Sequence, residues 1–110
     1  MEPLTVEKLL ELLKSDNPIV RRDAWLKAGP LGADALPSLA DLAAKGDLEV
    51  SRAANRAMWQ IVRYAGAPGR ETERQAVVQT LGELVADENW TVQLRRDMVW
   101  MLSEILADEE

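Results

Sequence analysis

Six segments of the sequence place apolar residues at the spacing of an amphipathic α-helix, and none shows the sustained alternation of a strand. Breaks rich in Asp, Asn, Gly and Pro separate these segments. The helices expected from this pattern span residues 4–14, 18–28, 33–45, 48–65, 70–86 and 90–107. A chain of 110 residues with this pattern is expected to form one all-α domain of six helices.

Three residues in the breaks support the helix boundaries. Pro18 suits the first turn of the second helix, where the missing N–H costs no hydrogen bond. Pro37 is compatible with the third helix because it lies near the helix start. Asp47 is expected to be the N-cap of the fourth helix.

The second, fourth and sixth segments share an opening in which Arg follows an apolar residue by two positions. The three openings are Val20-Arg21-Arg22, Val50-Ser51-Arg52 and Leu94-Arg95-Arg96. The turns before them contain Asp16, Asp47 and Asp87. A unit of helix, turn and helix that occurs three times predicts three stacked hairpins, over residues of about 3–31, 33–65 and 70–107. One hairpin cannot bury its apolar stripe alone, so neighbouring hairpins must share a core.

The chain resembles HEAT-repeat proteins, in particular the HEAT-like repeats also found in phycobilisome-type lyases. Val20-Arg21-Arg22-Asp23-Ala24, the bend at Gly29-Pro30-Leu31-Gly32 and Ala35-Leu36-Pro37-Ser38-Leu39 carry the resemblance. The second repeat keeps Asp47 and the Val50-Ser51-Arg52 opening but lacks the glycine bend, and the third departs further. The resemblance implies a right-handed α-α superhelix, a solenoid whose concave surface is lined by the second helix of each hairpin. The resemblance implies a function in binding rather than a catalytic activity.

Arg and Trp dominate the face of these second helices that points away from the expected core, at about 100° of rotation per residue. The candidate binding residues are Arg22, Arg52, Arg56, Trp59, Arg63, Arg96 and Trp100, with Trp25 at the margin. Arg makes forked hydrogen bonds to carboxylates and phosphates, and Trp supplies a rigid apolar anchor. The pattern therefore favours an acidic or phosphorylated peptide or protein as the partner. The alternative is structural, with the indoles packed between helices and the guanidiniums paired with acidic residues of neighbouring repeats.

The distribution of charge supports a special role for this face. The chain has a net charge of −6, yet residues 18–31 and 48–65 each contain three basic residues and one acidic residue. The negative charge is therefore concentrated elsewhere in the chain. An acidic body repels a phosphate backbone, so a nucleic-acid partner is not expected.

The sequence contains neither His nor Cys. This excludes Ser-His-Asp catalysis, cysteine nucleophiles and thiolate metal sites. We expect a non-enzymatic interaction module with no catalytic residues, no metal and no cofactor. One alternative is a structural scaffold or homo-oligomer that uses the edges of the terminal hairpins, such as the edge near Trp90, although a monomer is the first expectation. Another is a HEAT-like DNA glycosylase, with Asp97 beside Trp100 as its carboxylate.

The sequence also carries expectations about location. The first residues lack a basic leader segment, and no apolar run approaches the roughly 20 residues of a membrane span. We therefore expect a soluble cytoplasmic protein without a membrane partner. Asp108-Glu109-Glu110 is unfavourable at a helix C-terminus and is expected to extend into solvent.

Overall fold

Every regular element of the computed structural model, which describes residues 3–107, is helical. Its six α-helices are α1 (Val6–Leu13), α2 (Pro18–Leu26), α3 (Leu36–Lys45), α4 (Leu48–Ala65), α5 (Glu71–Ala86) and α6 (Val92–Ala107). Two 3₁₀ turns, Gly29–Leu31 and Ala33–Ala35, connect α2 to α3. The expected all-α class with six helices is confirmed for these residues, while Asp108-Glu109-Glu110 lies outside them.

Short polar side chains cap the starts of four helices. As predicted, the Asp47 carboxylate accepts a hydrogen bond from the Val50 N–H, with an O–N distance of 3.0 Å. In the first hairpin it is Asn17, rather than Asp16, that caps the helix, and Pro18 occupies the first helical turn. The four capping side chains are Thr5, Asn17, Asp47 and Thr91.

Four predicted boundaries were wrong by two or three residues. Helix α1 begins at Val6 rather than at residue 4. Helix α3 begins at Leu36 rather than at residue 33, because residues 33–35 form a separate 3₁₀ turn. Helix α6 begins at Val92 rather than at residue 90, since Thr91 acts as its cap. Helix α2 ends at Leu26, two residues before its predicted end.

The helices pack as consecutive pairs. Helix α1 contacts α2, α3 contacts α4, and α5 contacts α6. The odd-numbered helices also contact one another in order, and so do the even-numbered ones. Helix α4 contacts all five other helices and is therefore the centre of the packing. The molecule measures 39 × 36 × 17 Å along its principal axes.

The core runs along α4, where small side chains alternate with larger ones. Ala53, Ala54 and Ala57 are buried and allow neighbouring helices to approach α4 closely, while Met58 and Ile61 fill the space between them. Among residues 3–107, the buried side chains are all apolar. None of the helices in this range is long and apolar enough to cross a membrane.

Candidate functional site

All of the candidate residues except Arg96 are linked by ring contacts or shared grooves across α2, α4 and α6. We call this surface the even-helix face. All five candidate arginines are exposed, Trp100 is exposed, and Trp25 and Trp59 are partly buried. The residues that define the face are Arg22, Trp25, Arg52, Arg56, Trp59, Arg63 and Trp100, whereas Arg96 lies apart from them.

Two of the arginines stack on indole rings. The Arg56 guanidinium carbon lies 5.7 Å from the ring centroid of Trp25, which joins α4 to α2. The Arg63 guanidinium carbon lies 5.2 Å from the ring centroid of Trp59, one turn away on the same helix. Stacking on an aromatic face orients a guanidinium and leaves the N–H groups at its edge available for hydrogen bonds. Trp25, placed at the margin by the sequence pattern, is therefore a direct neighbour of the central arginine.

Two further indoles join α4 to α6. The rings of Trp59 and Trp100 meet edge to face, with centroids 6.2 Å apart and planes at 88°. Trp59 packs against the core, whereas Trp100 is 66% exposed. Trp59 is therefore packed between helices, whereas most of the Trp100 indole faces solvent.

The candidate arginines differ in whether they form ion pairs with acidic side chains. Arg22, Arg56 and Arg63 form no ion pair with any residue in the range 3–107. Arg52 lies 3.6 Å from the Glu49 carboxylate through Nη1, but both side chains are solvent-exposed. These three guanidiniums can bind an anion without first breaking an ion pair within the described chain.

Arg21 has a structural role. Its side chain is 12% exposed, and its Nη2 lies 3.6 Å from a Glu49 carboxylate oxygen. Its Nη1 donates a hydrogen bond of 2.8 Å to the backbone carbonyl of Ser15. Arg21, which was not among the candidate residues, is thus an arginine that pairs with an acidic residue of the neighbouring hairpin.

Arg56 separates two grooves on the even-helix face. The groove between α2 and α4 has a volume of about 510 Å³, and Arg22, Trp25 and Arg56 contribute to its lining. The groove between α4 and α6 has a volume of about 570 Å³ and contains Arg52, Asn55 and Asp97. The lining of the first groove combines three arginines and an indole with the Glu49 carboxylate. The lining of the second combines two arginines with the Asp97 carboxylate.

Asp97 is engaged by two amide side chains. Its Oδ2 accepts a hydrogen bond of 3.1 Å from Asn55 Nδ2, and its Oδ1 accepts one of 3.2 Å from Gln93 Nε2. Sequence reasoning missed Asn55 and Gln93. The sequence did contain a signal for Asn55, because it lies inside an 18-residue helix, where Asn is unfavourable. Its hydrogen bond to Asp97 on another helix offsets this unfavourable propensity.

Two residues lie elsewhere than the sequence suggested. Arg96 lines a separate indentation with Val92 and Val99, and no ion pair or ring contact within residues 3–107 joins it to the other candidates. Trp90 does not mark an exposed edge, because it is partly buried against the core. Its Nε1 is buried without a hydrogen-bond partner in the described part of the chain.

Comparisons with protein-family models, with curated proteins and with solved structures find no match to this chain. Within residues 3–107, no group of three or more acidic side chains is arranged to hold a metal ion.

Proposed function

We propose that the protein is a non-enzymatic interaction module that binds an acidic or phosphorylated segment of a partner protein on the even-helix face. The observation that carries this proposal is the pairing of unneutralised guanidiniums with indole rings. Arg56 stacks at Trp25 and Arg63 at Trp59, and neither forms an ion pair in the described chain.

The groove between α2 and α4 is the part of the face best suited to an anion. Arg21, Arg22 and Arg56 line it. The Glu49 carboxylate also lies in its lining, but Glu49 already forms ion pairs of 3.6 Å with Arg21 and Arg52. A phosphate or carboxylate seated there can accept charge-assisted hydrogen bonds from two guanidiniums. The indole of Trp25 offers an apolar wall for the residue beside the charged one.

The groove between α4 and α6 is less suited to an acidic ligand. Asp97 places a negative charge in it, and its two oxygens already accept hydrogen bonds from amides. An acidic segment that follows the face therefore approaches Arg22 and Arg56 first and avoids Asp97. The same engagement of both oxygens counts against Asp97 as a general base, which disfavours the glycosylase alternative.

The expected superhelix belongs to this proposal. Helices contact each other within each hairpin, and successive odd-numbered and successive even-numbered helices also contact each other. These contacts support a stack in which α2, α4 and α6 line one side. We propose that this stack is the right-handed α-α superhelix that the HEAT resemblance implies, with the even-helix face on its concave surface. A rigid face presents its side chains in fixed positions and loses little conformational entropy on binding.

The test is selection from synthetic peptide libraries that share random flanking residues and differ at one fixed central residue. The fixed residue is phosphoserine, glutamate, serine or lysine. Retention of the phosphoserine and glutamate libraries over the serine and lysine libraries is expected. Equal retention of all four, or preference for lysine, would contradict the proposal.

Variants then locate the bound segment. We expect Arg56→Ala and Trp25→Ala to weaken binding of the selected peptide about tenfold or more. Lys14→Ala is the matched control, because it removes one exposed positive charge from a groove next to α1 and α3. Equal loss of binding in Arg56→Ala and Lys14→Ala would show that the peptide responds to net charge rather than to this face.

A further inference from the structure

Helix α6 exposes an apolar stripe at the edge of the molecule. Val92 is 66% exposed and Val99 is 46% exposed, and Arg96 lies between them at the spacing i, i+4, i+7. These three residues and Val85 of α5 line an indentation of about 320 Å³. A helix face that met only water would be expected to carry polar residues at these positions.

Helix α2 exposes a stripe of the same form. Ile19 is 76% exposed and Leu26 is 48% exposed, with Asp23 between them, again at i, i+4, i+7. The stripe on α6 therefore has a basic residue between two apolar residues, and the stripe on α2 has an acidic residue between two apolar residues. The carboxylate of Asp23 lies 3.0 Å from Lys27, but both side chains are 65% exposed, so this ion pair is weak and exchangeable.

The central even-numbered helix lacks such a stripe. Among the large apolar residues of α4, only Leu48, at its first position, is exposed. Helix α4 contacts both α2 and α6, so its apolar side chains are covered by neighbours. The exposed apolar residues of the even-numbered helices are thus concentrated on the two outer helices, where each lacks an even-numbered neighbour on one side.

We propose that the α6 stripe of one molecule binds the α2 stripe of a second copy of this chain. Placed side by side in the same direction, the two helices bring Val92 to Ile19 and Val99 to Leu26. The same alignment brings the Arg96 guanidinium to the Asp23 carboxylate. The occupant is a second copy because the chain itself supplies a stripe with matching spacing and opposite charge.

This contact joins two different surfaces. A pair of molecules therefore still has one unoccupied α2 stripe and one unoccupied α6 stripe. Association of this type continues by addition of further copies unless the geometry closes into a ring. The even-helix faces of successive copies would then be continuous. The proposal does not depend on the ligand of that face, since none of the six stripe residues is among its defining residues.

The experiment measures mass against protein concentration by sedimentation velocity, for the wild type and for charge variants. We expect the wild-type mass to rise beyond a dimer with concentration. Arg96→Asp alone and Asp23→Arg alone are each expected to weaken association about tenfold or more, because like charges then face each other. The double variant Arg96→Asp with Asp23→Arg restores opposite charges and the wild-type net charge, and is expected to restore association.

Lys14→Asp is the control for Arg96→Asp, since it changes the net charge equally at an exposed residue outside both stripes. Unchanged far-UV circular dichroism and melting temperature verify that each variant is folded. A wild-type protein that stays monomeric at every concentration overturns the proposal. Loss of association in Arg96→Asp but not in Asp23→Arg also overturns it, because this result indicates a symmetric α6–α6 contact.

Discussion

Replacing Gly29 by alanine tests the contact between the first hairpin and α4. Gly29 is buried at the start of a 3₁₀ turn. A Cβ atom added there would lie 2.9 Å from Tyr64 Cβ and 3.1 Å from Cγ and Cδ2 of the same side chain. Optimal carbon–carbon contacts are about 3.5–4.0 Å, so either the turn or α4 must move by several tenths of an ångström.

The tyrosine cannot easily move out of the way. Its Cβ is fixed by the backbone of α4, and the Arg70 guanidinium carbon lies 3.6 Å from its ring centroid. Overpacking of this kind costs about 1–3 kcal/mol. The lower entropy of the unfolded alanine chain offsets about 0.4–1 kcal/mol of that cost. We therefore expect Gly29→Ala to lower the free energy of unfolding by about 1–2 kcal/mol, and the melting temperature by about 4–8 °C.

Gly82→Ala is the matched control. Gly82 lies exposed inside α5, and no atom approaches an added Cβ within 4 Å. Alanine favours a helix interior over glycine by about 0.5–1 kcal/mol, so this variant should be more stable than the wild type. Thermal and urea unfolding, followed by far-UV circular dichroism, measure both variants. A stabilising effect of Gly29→Ala would refute the close approach of this turn to Tyr64.

Three further predictions concern the cap of α4, the core and the even-helix face. Asp47→Ala should cost about 1 kcal/mol in urea unfolding, because the Val50 N–H loses its acceptor. Ile105→Ala should cost about 2–5 kcal/mol in the same assay, since Ile105 is fully buried on α6. Trp100→Ala should change the free energy of unfolding by less than about 1 kcal/mol, because most of the indole is exposed. It should nevertheless alter the near-UV circular dichroism that arises from edge-to-face contact with Trp59.

The sequence predicted most of the fold because helix boundaries depend on local chemistry. Helix α4 spans the predicted residues, since Asp47 caps its start and Gly66 follows its end. The start of α3 was missed because a proline near a helix start permits either an α-turn or a 3₁₀ turn before it. The choice between the two turns depends on how Ala35 packs in the core, where it is buried. The spacing of apolar residues along one helix does not predict this packing.

The candidate site was predictable only in part. Rotation by about 100° per residue places Arg52, Arg56 and Arg63 on the exposed side of one helix, and all three are exposed. The same rule treats each helix alone, so it could not pair Arg56 with Trp25 of a different helix. For the same reason it grouped Arg96 with the other arginines, although Arg96 lines the outer edge of α6.

The most direct test of the central claim uses the four indole N–H signals in two-dimensional NMR of the isotope-labelled protein. Trp25, Trp59 and Trp100 belong to the even-helix face, whereas Trp90 packs against the core and is the internal control. The protein is titrated with the phosphoserine peptide selected from the libraries, and with the same peptide carrying serine. We expect the phosphoserine peptide to shift the Trp25 signal most and to leave the Trp90 signal unchanged. Equal shifts with both peptides, or a shift confined to Trp90, would contradict this expectation.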